Sequence, residues 1–149
     1  MITVIMYGLD QFLVGDLSVR LGKDLAKIYE VDEEDINFIA PNDMIFHKGV
    51  EQTSWRVIVE VSAPKKLEVL QNQIKDVIVH HVSQIAIHIE LLFKYYLSDH
   101  HELHINEQYP LYMEETPEVE VESDYPEDIE EGEGEDEIYT GDIFEGIKH

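Results

Sequence analysis

The chain contains the same pattern twice: a strand, an amphipathic helix and a second strand. In the first half, the hydrophobic pattern predicts strands over residues 3–7 and 36–39 and a helix near residues 16–29. In the second half, it predicts strands over residues 55–61 and 87–95 and a helix near residues 64–82. A repeated βαβ unit predicts an α+β fold, βαββαβ, in which a four-stranded sheet carries both helices on one face. The repeat says much less about chemistry than about architecture.

Each predicted helix has one apolar stripe for a core and one polar side. The stripe of the first helix follows steps of three and four residues, which is the period of an α-helix: Leu13, Leu17, Leu21, Leu25 and Ile28. Arg20, Lys23, Asp24 and Lys27 are predicted to lie on its outer side. For the second helix, Ser62 is the predicted N-cap and Pro64 lies in the first turn. Between the halves we expect turns at residues 40–43 and 47–49, around a short strand at residues 44–46.

Alternating residues in the last two long strands separate two faces of the predicted sheet. One face of the third strand is apolar and carries Val57, Val59 and Val61. The other face mixes charged and apolar side chains in both strands: Arg56, Ile58 and Glu60 in the third, and His88, Glu90, Leu92 and Lys94 in the fourth. A face of this kind predicts a second contact surface, such as a subunit interface around a channel.

Acidic residues are concentrated at the C-terminal end. The net charge of the 149 residues is −23, and residues 114–149 contain 16 Asp and Glu against one Lys. We therefore expect a folded domain over residues 1–113 and an acidic, largely flexible tail over residues 114–149. Apolar side chains return in the last dozen residues: Ile138, Tyr139, Ile143, Phe144 and Ile147. They predict either a disordered end or a short docking segment.

Charge and composition exclude several classes of function. The negative charge disfavours binding to nucleic-acid phosphates and leaves a basic protein, metal cations or no partner at all as the alternatives for the tail. The absence of cysteine excludes disulfides, thiol catalysis and thiolate metal sites. The glycines form no phosphate-binding loop, and we expect no cofactor. No apolar run is long enough for a membrane span and no signal peptide is evident, so the expected location is cytoplasmic.

Residues 38–49, a strand followed by Pro41, a turn and a short strand, resemble a passage of the tautomerase superfamily. Macrophage migration inhibitory factor and the small bacterial 4-oxalocrotonate tautomerases belong to that superfamily. The resemblance covers residues 1–112, is greatest to an uncharacterised bacterial branch, and includes residues 57–61, the helix after them and a segment near residues 106–109. It implies a homotrimer, with helices outside and sheets around a central channel.

The resemblance also implies a site at the N-terminus, where this chain departs from the family. Tautomerases use an N-terminal proline, whose secondary amine acts as the general base. Residue 2 here is Ile2, and its bulk is expected to keep Met1 in place. The cation that often precedes the second strand is replaced by Val31-Asp32-Glu33, which would repel acidic substrates. By the resemblance, His88 and Glu90 align with the polar residues that a neighbouring subunit adds to the pocket, and channel lining is the alternative role.

The remaining histidines favour ordinary structural roles over metal binding. His80 and His81 end the second predicted helix, where a positive charge suits the helix dipole. His100, His101 and His104 lack the spacing of a zinc-protease motif, so we interpret them as a polar loop or edge strand and expect no metal site.

Three functions remain open from the sequence. The leading hypothesis is a small-molecule-binding or scaffold trimer without standard tautomerase activity, with Met1, Ile2, His88 and Glu90 at its ligand site. The second is a residual isomerase that uses the amine of Met1. The third is a protein-interaction module in which the acidic tail binds a basic protein.

Overall fold

The structure is a computed structural model and describes residues 1–114. Most of this part of the chain forms a mixed four-stranded sheet with two helices. In chain order the strands and α-helices are β1 (Ile2–Tyr7), α1 (Gln11–Tyr29), β2 (Ile36–Ile39), β3 (Phe46–His47), β4 (Val50–Glu51), β5 (Arg56–Pro64), α2 (Gln71–Val82) and β6 (His88–Tyr96). Short 3-10 helices lie at Glu33–Asp35, Lys65–Leu70 and Ser98–His100.

The large sheet confirms the repeated βαβ architecture. Its strand order is β2-β1-β5-β6. β1 runs parallel to β2, and β5 runs parallel to β6, so each helix is the crossover of one βαβ unit. The two units meet where β1 and β5 pair antiparallel, with Thr3 opposite Ser62. The first residue of the chain therefore lies at the same end of the sheet as the last residues of β5 and β6.

Both helices pack on one face of this sheet, and that face is the core. Val57, Val59 and Val61 are fully buried, as their alternation predicted. The helices bury the residues of their apolar stripes against them, namely Leu17, Leu21 and Leu25 of α1 and Ile74, Ile78 and Val82 of α2. Each large apolar side chain that is fully buried contributes roughly 1.5–3 kcal/mol. Within residues 1–114 no charged residue is buried on this face.

The first helix begins five residues earlier than the sequence pattern predicted. The carboxylate Oδ1 of Asp10 accepts hydrogen bonds from the backbone N–H groups of Phe12 and Leu13, at 2.9 and 3.0 Å. This N-cap satisfies two of the free donors at the start of α1. The helix ends at Tyr29, as predicted, because Glu30 adopts a left-handed conformation with φ of 54°.

The prediction of Ser62 as the N-cap of the second helix is wrong. Ser62 lies inside β5, where its backbone pairs with Thr3 on one side and Lys94 on the other. Pairing with two strands holds this segment extended through Pro64. The chain then forms a 3-10 helix over Lys65–Leu70 before α2 begins at Gln71 without a side-chain cap.

The short strand between the halves lies slightly later than predicted. This strand is β3, and it pairs antiparallel with β4 in a separate two-stranded sheet. Lys48 and Gly49 form the connecting turn, and both have positive φ, of 49° and 79°, as a two-residue hairpin of this twist requires. The preceding segment packs on the turn after β1. A Cβ atom at Gly8 would lie only 2.8 Å from the side chain of Ile45.

A second compact unit of the chain begins at Asn106, and its described residues contain a turn in which the N–H of Tyr109 donates to the carbonyl of Asn106. The acidic tail and the apolar terminal segment predicted from the sequence lie almost wholly outside the described residues. In residues 1–114 none of the helices is both long and apolar enough to span a membrane.

Candidate functional site

A cleft of about 290 Å³ opens beside the first residue of the chain. Three segments form its walls: the start of β1, the end of α1 with the turn toward β2, and the beginning of the 3-10 helix after β5. The lining residues are Met1 and Ile2 from the first segment, Tyr29, Glu30, Val31 and Asp35 from the second, and Pro64, Lys66 and Leu67 from the third. The two N-terminal site residues that the resemblance implied, Met1 and Ile2, thus lie at a cavity large enough for a small molecule.

Neighbouring strands hold Met1 at this cleft. The hydroxyl of Tyr96, at the end of β6, donates a hydrogen bond to the backbone carbonyl of Met1. The side-chain amide of Asn37 in β2 donates to the sulfur of Met1. Because β1 is an inner strand, Met1, which immediately precedes it, has partners from both directions across the sheet. Ile2 itself is only 1% exposed and belongs to the core.

The cleft carries charges of both signs. Lys66 contributes a cation, and the amine of Met1 lies nearby on the first segment. Glu30 and Asp35 contribute carboxylates from the turn between α1 and β2. Within residues 1–114, Lys66, Glu30 and Asp35 enter no salt bridge, whereas the neighbouring Lys65 pairs with Glu68 at 2.5 Å. The charged groups of the cleft are therefore not neutralised by one another.

Tyr29 lines the cleft, but its hydroxyl group is enclosed by the protein. The residue is only 3% exposed, and its hydroxyl oxygen has no hydrogen-bond partner among the described residues. Burial raises its pKa, with a smaller contribution from Tyr95, so the group stays a neutral hydroxyl at physiological pH. Most buried polar atoms in folded proteins have a partner, which makes an unpaired one beside a cavity unusual.

His88 and Glu90, the other two predicted site residues, lie at the opposite end of the sheet. His88 is opposite Arg56 at the start of both strands, whereas the Met1 end of β6 is at Tyr96. Eight residue steps of a strand correspond to roughly 25 Å, so one protomer does not bring these residues to the cleft. Glu90 instead pairs with Arg56 at 2.5 Å, and the ring of His88 meets the edge of Trp55 at 5.8 Å.

The sheet face opposite the helices has the mixed character that the sequence predicted; we call it the open face. Lys94 and Glu60 form a salt bridge of 2.8 Å on it, next to the Arg56–Glu90 pair. The hydrogen bond that the ammonium group of Lys94 donates to Glu60 raises the pKa of Lys94. Apolar side chains lie among these ion pairs, and Leu92 is 42% exposed. The open face therefore presents apolar surface that the single chain leaves uncovered.

One contact of the histidines was missed from the sequence. His81 lies in the last turn of α2, as predicted, but its Nε2 is 2.8 Å from the carboxylate of Asp24 in α1. Asp24 was predicted on the outer side of the first helix, and the structure instead places it at the contact between the helices. The hydrogen bond with His81 is the main cause that lowers the pKa of Asp24, and Lys27 adds to it.

The histidines after β6 are not gathered into a metal site. His100 ends a short 3-10 helix, and the ring of His101 stacks on Tyr96 at 5.2 Å. Over residues 1–114 no three His, Asp or Glu side chains are placed to hold one metal ion.

No family model and no curated protein matches this sequence. Solved structures do match its fold. A domain of unknown function from Sebaldella termitidis matches with a TM-score of 0.62 and 17% identity, over 69% of this chain and 95% of its own. A macrophage migration inhibitory factor-like protein from Entamoeba histolytica matches with a TM-score of 0.54 and 11% identity, over 69% of this chain and 93% of its own. A homologue of that factor from Prochlorococcus marinus matches with a TM-score of 0.51 and 16% identity, over 65% of this chain and 89% of its own. The chain has the tautomerase-superfamily fold.

Proposed function

We propose that the protein is a homotrimeric binding protein of tautomerase fold, which holds a small molecule in the cleft beside Met1 and has no standard tautomerase activity. The observation that carries this proposal is the cleft itself, at the start of β1, with Met1 fixed at its wall by Tyr96. The cavity is present, whereas the N-terminal proline that acts as the general base in the superfamily is absent. A binding role needs the cavity and does not need the catalytic proline.

The lack of standard activity follows from the residue at position 2, which is isoleucine and not proline. Proton abstraction next to a carbonyl needs a base that titrates near neutral pH. With Met1 in place the nitrogen of Ile2 is a backbone amide, which is not a base, and no N-terminal proline supplies a secondary amine at the cleft. Glu30 and Asp35 at the cleft also disfavour the acidic substrates that the resemblance implies.

A second candidate is a residual isomerase in which the amine of Met1 is the base. One observation favours it: Met1 lines the cleft, so a small ligand there lies close to the backbone amine. This candidate and the binding role share the same site and differ in whether the bound molecule is turned over.

The trimer would complete the site as well as cover the open face. The resemblance implies a trimer, and exposed apolar side chains such as Leu92 give the open face a reason to associate. His88 and Glu90 are remote from the cleft of their own chain. They would contact a ligand only in the cleft of a neighbouring subunit. The acidic tail is proposed, from the sequence alone, to serve a basic protein partner.

The binding role is tested by screening a mixed collection of neutral and charged fragments against the full-length protein by NMR, after intact mass confirms that the chain begins at Met1. We expect fragments to shift resonances of Ile2, Val31 and Leu67. Leu67→Trp would fill the cleft and abolish this binding. Val69→Trp is the matched control, because Val69 is on the same short helix but is 86% exposed and outside the cleft.

The activity is tested separately with phenylpyruvate enol turnover. We expect the unmodified protein to give a rate near background, and Ile2→Pro, with removal of Met1 verified by mass, to increase it. Robust turnover by the unmodified protein would favour the residual isomerase. A fragment screen with no shifts at the cleft would remove the binding role.

A further inference from the structure

The charges of the cleft come from separate segments of the chain. Lys66 belongs to the 3-10 helix after β5, and Glu30 and Asp35 belong to the turn between α1 and β2. None of the three has a salt-bridge partner in the described part of the chain. Elsewhere in that part, cations are commonly paired, as in Lys94–Glu60 and Lys65–Glu68. The cleft thus combines an unpaired cation with unpaired carboxylates around a cavity.

The geometry points to a zwitterionic ligand: we propose that the cleft binds a small molecule that carries both a carboxylate and an ammonium group, of the class of free amino acids. Its carboxylate pairs with Lys66, and its ammonium group pairs with Glu30 and Asp35. This inference rests on the proposed function, because it names the ligand class of the same cleft.

Simple anions and simple cations fit this cleft less well. An anion that pairs with Lys66 also meets two carboxylates and lies near the acidic run Asp32-Glu33-Glu34. A cation that pairs with the carboxylates meets Lys66 and the amine of Met1. Only a ligand with both charges gains attraction from each wall without an uncompensated repulsion.

Two further features of the lining suit an amino-acid-like molecule. Val31 and Leu67 are partly buried and offer apolar contact for a hydrocarbon side chain. The hydroxyl of Tyr29 is enclosed without a partner, and it would donate to a ligand carboxylate if the wall of the cleft shifts when a ligand binds. A donor that is already desolvated gains a hydrogen bond on binding and loses none to water.

The inference is tested with three matched sets of probes, measured by NMR titration of the full-length protein. The first set is the common apolar amino acids, the second the 2-oxo acids with the same side chains, and the third the corresponding amines. We expect the amino acids to shift cleft resonances at concentrations at least tenfold lower than the other two sets. Equal or stronger binding of the 2-oxo acids or the amines overturns the ligand class, as does an absence of shifts with every amino acid.

Substitutions at the charged groups give opposite expected changes in preference. Lys66→Met should weaken amino-acid binding about tenfold or more, the worth of a charge-assisted hydrogen bond, and should favour the amines. Glu30→Gln with Asp35→Asn should weaken amino-acid binding and favour the 2-oxo acids. Lys75→Met is the control, because Lys75 lies on α2 outside the cleft and should leave all affinities within twofold. An unchanged preference in both cleft variants contradicts the proposal.

Tyr29→Phe separates a ligand contact from a structural role. Because the hydroxyl has no partner, its removal should leave the melting temperature unchanged or slightly higher, while amino-acid affinity falls several-fold. A fall in stability without a change in affinity would show that the hydroxyl does not contact the ligand. If other fragments occupy the cleft but amino acids do not, only the ligand class is wrong. If nothing occupies it, the proposed function is wrong as well.

Discussion

The two faces of the sheet differ although the same strands build them. On the helix-covered face, Val57, Val59 and Val61 are fully buried. On the open face, residues one position away in the same strand stay partly exposed: Ile58 lies among ion pairs, and Glu60 belongs to one of them. One face therefore buries apolar surface within the chain, and the other keeps apolar surface together with charges that suit contact with another chain.

This difference predicts that substitutions on the two faces affect different properties, the stability of the fold on one face and association with other chains on the other. Because the period of a strand is two residues, a substitution at position 59 acts on the core, whereas one at position 58 acts on the open face. The two neighbouring positions offer the most direct way to separate the stability of the fold from the stability of an assembly.

The largest effect is expected from Val59→Asp. The substitution places a carboxylate without a partner among fully buried apolar side chains, and burial of an unpaired charge costs several kcal/mol. We expect loss of the folded state, seen as loss of protected amides and of the cooperative unfolding transition in urea. A folded Val59→Asp protein would contradict the assignment of this face as the core.

Ile58→Asp should leave the fold intact and weaken assembly. The side chain of Ile58 is half-buried on the open face of the same strand, so the new carboxylate remains in reach of water. We expect a native-like circular dichroism spectrum together with a lower mass in sedimentation. If Ile58→Asp keeps the wild-type mass and Leu92→Asp does so too, the open face is not an assembly surface.

The contact between the helices has a smaller effect that depends on pH. The folded protein lowers the pKa of Asp24 below its ordinary 3.8, so the pair with His81 stabilises the fold above that pH and loses its contribution as the pH falls through the lower folded value. Asp24→Asn should cost about 1 kcal/mol or less at pH 5, since Asp24 is 43% exposed. The difference from wild type should shrink below pH 3.8 in urea titrations. Asp76→Asn, in an exposed pair at 3.9 Å, is the control and should show no such trend.

The smallest effect is expected from removal of residues 115–149. If the two faces account for both the fold and the assembly, the shortened chain should keep its melting temperature within a few degrees and keep its subunit number. Loss of the assembly on this deletion would assign part of it to the tail.

Periodicity and distance in sequence explain which features the sequence could predict. The alternation of Val57, Val59 and Val61, and the stripe of Leu17, Leu21 and Leu25, are local patterns, and the structure confirms both. The resemblance implied a ligand site at Met1 and Ile2; both residues line a cleft, and their role in ligand binding stays a prediction.

The errors fall where distant segments decide the outcome. Ser62 has the residue type of a helix cap, but pairing with Thr3 and Lys94 holds it in a strand. The Asp24–His81 contact joins residues 57 positions apart, through a helix crossing that neither helix pattern contains. Tyr29 and Lys66 were missed for the same reason, because each belongs to the cleft only once the chain is folded.

The most direct test of the account is the mass of the full-length protein in solution, measured by light scattering at micromolar concentration. The central claim is that the open face is covered by further copies of the chain. It predicts a mass of three times 17.3 kDa. A mass of 17.3 kDa, that of a single chain, would contradict it.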